Sequence, residues 1–112
     1  MTAPTLERDL VADCQRSAEA MNAFLAVVGQ RNAKKAGSTL GFPDLVLMCA
    51  GQVHLIECKR PKADDHRAGE LRLGQSAFID KAAEHGVKVH AIWTLDEFVA
   101  IVNGCRRKRA VG

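Results

Sequence analysis

Gly41-Phe42-Pro43-Asp44-Leu45-Val46-Leu47-Met48-Cys49-Ala50-Gly51-Gln52-Val53-His54-Leu55-Ile56-Glu57-Cys58-Lys59 decides the fold. Two short apolar runs flank the turn signal Ala50-Gly51-Gln52, the pattern of a β-hairpin. A two-residue turn at Ala50-Gly51 sets Asp44 opposite Glu57, and one at Gly51-Gln52 sets it opposite Lys59. In either register Asp44, Glu57 and Lys59 share a face, because side chains alternate with period two; a three-residue turn would break that parity. Directly opposed Cα atoms lie roughly 4.5–5.5 Å apart. Two carboxylates at that range can share a divalent cation whose oxygens sit about 2.1 Å from Mg²⁺. The bland alternative is a structural Asp–Lys or Glu–Lys pair at a strand end. Val46, Met48, Val53 and Leu55 continue this face, while Leu45, Leu47, Cys49, His54, Ile56 and Cys58 form the other. Both are largely apolar, so the hairpin is expected to be covered on both sides.

Working outward, residues 5–21 read as a helix with Leu10, Val11, Cys14, Ala18 and Met21 on one stripe. Glu7 falls on that apolar stripe rather than with Arg8, Asp9 and Asp13. It either serves a site beneath the helix or complements the helix dipole in the first turn. Residues 24–31 are expected as a strand, since a two-stranded hairpin needs partners, and 31–39 as a polar loop near the site. Pro61 ends the hairpin's second strand. Residues 60–72 are polar and read as a mobile surface loop containing His66, which could serve catalysis or simply be exposed. A second helix over 73–85, closed by Gly86, places Gln75, Phe78, Ile79, Ala82 and Ala83 on one face. Gln75 thus sits at the inward edge of a helix start, facing a site or satisfying a backbone group. Residues 87–93 form the last strand, parallel to its partner through the helical crossover. Thr94-Leu95-Asp96-Glu97 is a capping box for a third helix ending near Gly104, with the basic residues beyond it frayed. A rival constellation, Cys49, His54 and Cys58 on one hairpin face, has the ligand types of zinc. Leu47 and Ile56 interrupt it, and free cysteine is a common core residue.

The resulting order is αβββαβα, an α/β arrangement with a mixed central sheet between helices in three layers. The sequence also resembles the VRR-NUC domain family of the PD-(D/E)XK nuclease superfamily. The likeness rests on Glu7, Gly41-Phe42-Pro43-Asp44, Gly51, Glu57-Cys58-Lys59 and Gln75, in that order, over roughly residues 5–103. It implies a restriction-endonuclease-like fold and a Mg²⁺-dependent endodeoxyribonuclease, with Mn²⁺ as a substitute. It implies catalytic roles for Asp44, Glu57, Lys59, Gln75 and Glu7. The metal would be held by Asp44, Glu57 and the Cys58 backbone carbonyl, with Glu7 binding directly or through water. It further implies a homodimer acting on branched DNA such as Holliday junctions. The alternatives are a flap, single-strand or restriction-type nuclease, and a non-catalytic DNA-binding module of the same fold.

Length and composition agree with one domain. The chain has 112 residues, 47% hydrophobic and 26% charged, enough for a single core. We expect that core over about 5–103 and a basic tail over 104–112. The net charge of +3 does not by itself mark a nucleic-acid binder. The clusters Lys34-Lys35, Lys59-Arg60 with Lys62, Arg67, Arg72, and Arg106–Arg109 suit phosphate contact as well as a solvated surface. No Tyr and one Trp offer no aromatic platform for bases. The absence of an 18-residue apolar run and of a signal-peptide pattern predicts a cytoplasmic protein with no membrane partner, and the resemblance implies a bacterial or phage-infected host cell. The four cysteines are then expected as reduced thiols, mostly in the core.

Overall fold

The computed structural model describes residues 7–28, 41–60, 62 and 68–111. The elements run α1 (Glu7–Ala20), β1 (Phe24–Val27), β2 (Leu45–Cys49), β3 (Gln52–Cys58), α2 (Leu73–Glu84), β4 (Val89–Ile92) and α3 (Leu95–Val111). The sheet has the order β1-β2-β3-β4. β2 is antiparallel to both neighbours, and β3 and β4 are parallel. The expected αβββαβα order and mixed sheet are present.

The turn is the two-residue one at Ala50-Gly51: Cys49 pairs with Gln52 and Leu45 with Ile56. Ala50 and Gly51 have φ of 53° and 78°. Positive φ at both central residues twists a tight turn in the sense of the flanking strands. This register puts Asp44 opposite Glu57.

The core lies on one face of the sheet. Leu45, Leu47, Cys49, Ile56 and Cys58 pack against Leu10, Cys14 and Ala18 of α1 and Phe98, Val102 and Cys105 of α3. All four cysteines are free and buried. The expectation that the hairpin is covered on both faces is only half met. α1 and α3 take the same face, whereas α2 contacts β4 and reaches the other face only at the Glu57 end. Phe24, Met48 and Val53, consecutive partners across β1, β2 and β3, are therefore exposed at 62%, 43% and 65%.

α3 is also longer than expected. Thr94 caps it: Glu97 N donates to Thr94 Oγ1 (3.2 Å), and Glu97 Oε1 accepts from Thr94 N (3.1 Å). Gly104 does not end it. Phe98, Val102 and Cys105 recur at helical spacing and are 0%, 0% and 1% exposed, so burial of the next turn outweighs roughly 1 kcal/mol of glycine propensity. The backbone stays helical to Val111, which corrects the frayed tail. β1 and β4 are shorter than expected. The 31–39 loop, residues 29–31 of the expected first strand and His66 lie outside the described residues.

Candidate active site

Asp44 and Glu57 meet where β2 begins and β3 ends. Asp44 N donates to Glu57 Oε2 at 3.2 Å, and Cys58 N donates to Asp44 Oδ2 at 3.1 Å. The two carboxyl groups also share a hydrogen bond. α1 delivers Glu7 to the same point. It heads the stripe that continues through Leu10, Cys14 and Ala18, so burial of those three on the sheet turns Glu7 toward it. Among the described residues, Glu7, Asp44 and Glu57 are the cluster whose ligand atoms all lie within 4.8 Å of one another. Cys49, His54 and Cys58 form no such group. His54 Nδ1 instead shares a hydrogen bond with His90 Nε2 (3.0 Å), and His54 Nε2 with Gln52 Oε1 (3.0 Å).

α2 completes the site through Gln75. Its Nε2 donates to Glu57 Oε1 (2.5 Å), and its Oε1 accepts from Lys59 Nζ (3.0 Å) and from Arg72 N (2.9 Å). One amide thus joins an acid, a cation and the helix start. Gly41 makes this approach possible. Its φ is +79°, and a Cβ there would lie 2.2 Å from the Gly74 carbonyl oxygen. Phe42 packs edge-on against Phe78 of α2, ring centroids 5.3 Å apart. The Gly-Phe-Pro-Asp sequence therefore docks on α2 and starts β2 in the same few residues.

Glu57 and Lys59 are 2% and 5% exposed, and burial disfavours like charges at this separation. Burial, then the Asp44 charge, pushes the Glu57 carboxyl up to about 8, with Lys59 acting the other way. Burial also raises Asp44, against the Cys58 amide, the Glu57 hydrogen bond and Lys59. Glu7 is raised by burial and by Asp44. The Cys58 thiol, hydrogen-bonded to Cys14 and buried, is raised as well, so it is a core thiol rather than a nucleophile.

A linked stability effect follows. A carboxyl raised on folding adds stability below its unfolded value, and that stability is lost as pH rises through the folded value. For Glu57 the window runs from about 4.5 to about 8. The metal-free protein should melt on the order of 5 °C lower at pH 8 than at pH 5.5, and Glu57→Gln should flatten that dependence. Scanning calorimetry checks this; a wild-type melting point that rises toward pH 8 would contradict it.

Arg60 and Arg72, whose clusters suit phosphate contact as well as a solvated surface, line a cavity with Arg8, Glu7 and Lys59 beside the carboxylates. No family model matches the sequence, and no curated protein matches it either. A solved structure described as a VRR_NUC domain does match, with a TM-score of 0.62 over 87% of this chain and 94% of that one, at 14% identity. The chain has the fold of a VRR_NUC domain. That fold is the restriction-endonuclease-like arrangement of a mixed sheet flanked by helices. At 14% identity the likeness concerns the backbone, and the chemistry rests on the residues themselves.

Proposed function

We propose that the protein is a divalent-metal-dependent endonuclease hydrolysing phosphodiester bonds in branched DNA such as Holliday junctions. The observation that carries this reading is the convergence of Glu7, Asp44 and Glu57 within 4.8 Å, beside Lys59 and Gln75, on a VRR_NUC fold. The donor set consists of hard oxygens, which suits Mg²⁺ or Mn²⁺. The raised carboxyls favour a cation that relieves their repulsion. When bound, the metal would neutralise phosphate charge and acidify a water.

The chain's residues divide the remaining work. Asp44 and Glu57 hold the cation, the Cys58 carbonyl adds a backbone ligand, and Glu7 binds it directly or through a water. Lys59, steadied by Gln75, orients the attacking water and offsets charge that develops on the phosphate oxygens. Gln75 fixes Glu57 through its amide N–H. One chain carries one site, so paired incisions of a symmetric junction need two copies. The exposed apolar row Phe24, Met48, Val53 offers a surface that a second copy could cover. None of the helices among the described residues is long and apolar enough to cross a membrane.

The test is cleavage of end-labelled four-way junction, flap, duplex and single-stranded DNA with Mg²⁺, Mn²⁺ or EDTA, with oligomeric state measured on the same preparation. Metal-dependent cutting of the junction above the other substrates is expected. Preference for the flap or duplex would redirect the reading to a flap or restriction-type nuclease. Binding without cutting under any metal would leave a DNA-binding module.

Glu7→Gln separates two roles for that residue. As part of the site it should lower cleavage by about 10²-fold with the fold intact, because Gln keeps the size and hydrogen-bonding capacity. Complementing the dipole alone would give a loss of about 0.3–1 kcal/mol in stability at unchanged rate. Melting curves and rates on the same variant decide between them.

A further inference from the structure

Beside the three carboxylates the wall of the site changes sign. A cavity of about 560 Å³ opens between the start of α1 and the chain that follows β3. Among the described residues its lining carries four cations, Arg8, Lys59, Arg60 and Arg72, against two carboxylates, Glu7 and Glu70. Among those residues four against two leaves an excess of two positive charges.

The backbone that presents these cations is tied down at two points. Trp93 Nε1 donates to the Gly69 carbonyl (2.7 Å), and Gly69 N donates to the Arg60 carbonyl (2.7 Å). A Cβ on Gly69 would lie 2.9 Å from Arg60 N, so glycine permits this close pairing. At the second point Arg72 N donates to Gln75 Oε1, the atom that also accepts from Lys59 Nζ. Arg60 and Arg72 therefore stand on backbone held by Trp93 and Gln75, at a fixed place relative to the carboxylates.

We infer that this cavity is a phosphate subsite, in which Arg72, Arg60 and Arg8 hold the phosphodiester next to the one facing Glu7, Asp44 and Glu57; the inference rests on the nuclease reading above. A cluster of carboxylates repels a nucleic-acid backbone, and the strand must be drawn in by cations alongside. Guanidinium groups fit phosphate oxygens through paired N–H donors. The cations lie to one side of the carboxylates, at the start of α1 and at Arg60 and Arg72, so the neighbouring phosphate is held on that side. Phosphate contacts of this kind set register and affinity without reading sequence.

The experiment is fluorescence anisotropy of a labelled duplex and a labelled four-way junction, in Ca²⁺, across a salt series. Loss of one phosphate contact should flatten the plot of log affinity against log salt by about 0.9, or about eightfold weaker binding at 0.1 M salt. Arg72→Ala and Arg60→Ala should each show this, and Arg72→Lys should restore the slope. Lys88→Ala, which removes an exposed charge just ahead of β4, should leave it unchanged. The subsite is overturned if Arg72→Ala keeps the wild-type slope, if Lys88→Ala matches it, or if Arg72→Lys is as defective as Arg72→Ala. Wild-type protein that binds neither DNA overturns the nuclease reading together with the subsite. Wild-type binding with a normal Arg72→Ala slope overturns the subsite alone.

Discussion

Lys59→Ala is expected to lower metal-dependent DNA cleavage by about 10³-fold, with DNA affinity in Ca²⁺ changed less than about tenfold. The ammonium group is buried, bonded to Gln75 Oε1, and placed so that its charge lowers the carboxyls of Glu57, Asp44 and Glu7. Its value in the reaction lies in charge that develops on the phosphate, so the loss should fall on rate at saturating DNA. A purely structural lysine makes a different prediction. It would leave the rate per folded molecule unchanged and lower only the melting point. Some destabilisation is expected in either case, and its pH dependence is informative. The carboxylates need Lys59 most when ionised, so the loss should be larger at pH 8 than at pH 5.5. Single-turnover rates, with melting curves at both pH values, separate the two roles. Cleavage at the wild-type rate would remove Lys59 from the chemistry and undermine the nuclease assignment.

The hairpin was legible because strand parity is a strict rule. Once Ala50-Gly51 is a two-residue turn, Asp44 and Glu57 must face one another. Glu7 was legible for a similar reason: helical phase put a charged residue on a stripe that has to be buried. Gln75 came from the same logic on α2. The covering of the sheet was not legible in this way. Both hairpin faces are apolar, and nothing local says that α1 and α3 share one of them while Met48 and Val53 stay exposed. Gly104 misled for a related reason. It carries the local signal of a helix end, but the decision lay with Cys105 and its place in a core assembled from distant residues.

The cationic wall was hidden for a different physical reason. The clusters holding Arg60 and Arg72 suited phosphate contact and a solvated surface equally, because what positions them is non-local. Trp93 reaches Gly69 across 24 residues, and such a side-chain-to-backbone bond leaves no periodic trace. The function of Gly41 was only partly visible. A turn glycine is readable from sequence, whereas its approach to the Gly74 carbonyl is not.

Asp44→Asn is expected to abolish detectable cleavage and weaken Mg²⁺ binding by at least tenfold, while raising the stability of the metal-free protein at pH 8. The substitution keeps an oxygen to accept from Cys58 N and leaves the backbone donation to Glu57 intact. It removes the charge that contributes to the raised Glu57 and Glu7 carboxyls. Relief of that repulsion stabilises the folded state where the carboxylates would otherwise be ionised, above about pH 4.5 and increasingly toward 8. The same charge is what a divalent cation needs, so stability and metal affinity should move in opposite directions. Added Mg²⁺ should then raise the wild-type melting point at pH 8 and scarcely move that of the variant. A structural Asp would behave differently: its loss would lower the melting point with metal and without it. Calorimetric titration of Mg²⁺ into both proteins, with melting curves at pH 5.5 and 8, tests each part. Unchanged metal affinity in Asp44→Asn would exclude Asp44 as a ligand and would leave the Glu7, Asp44 and Glu57 cluster as a proton-sharing group at the end of a buried hairpin.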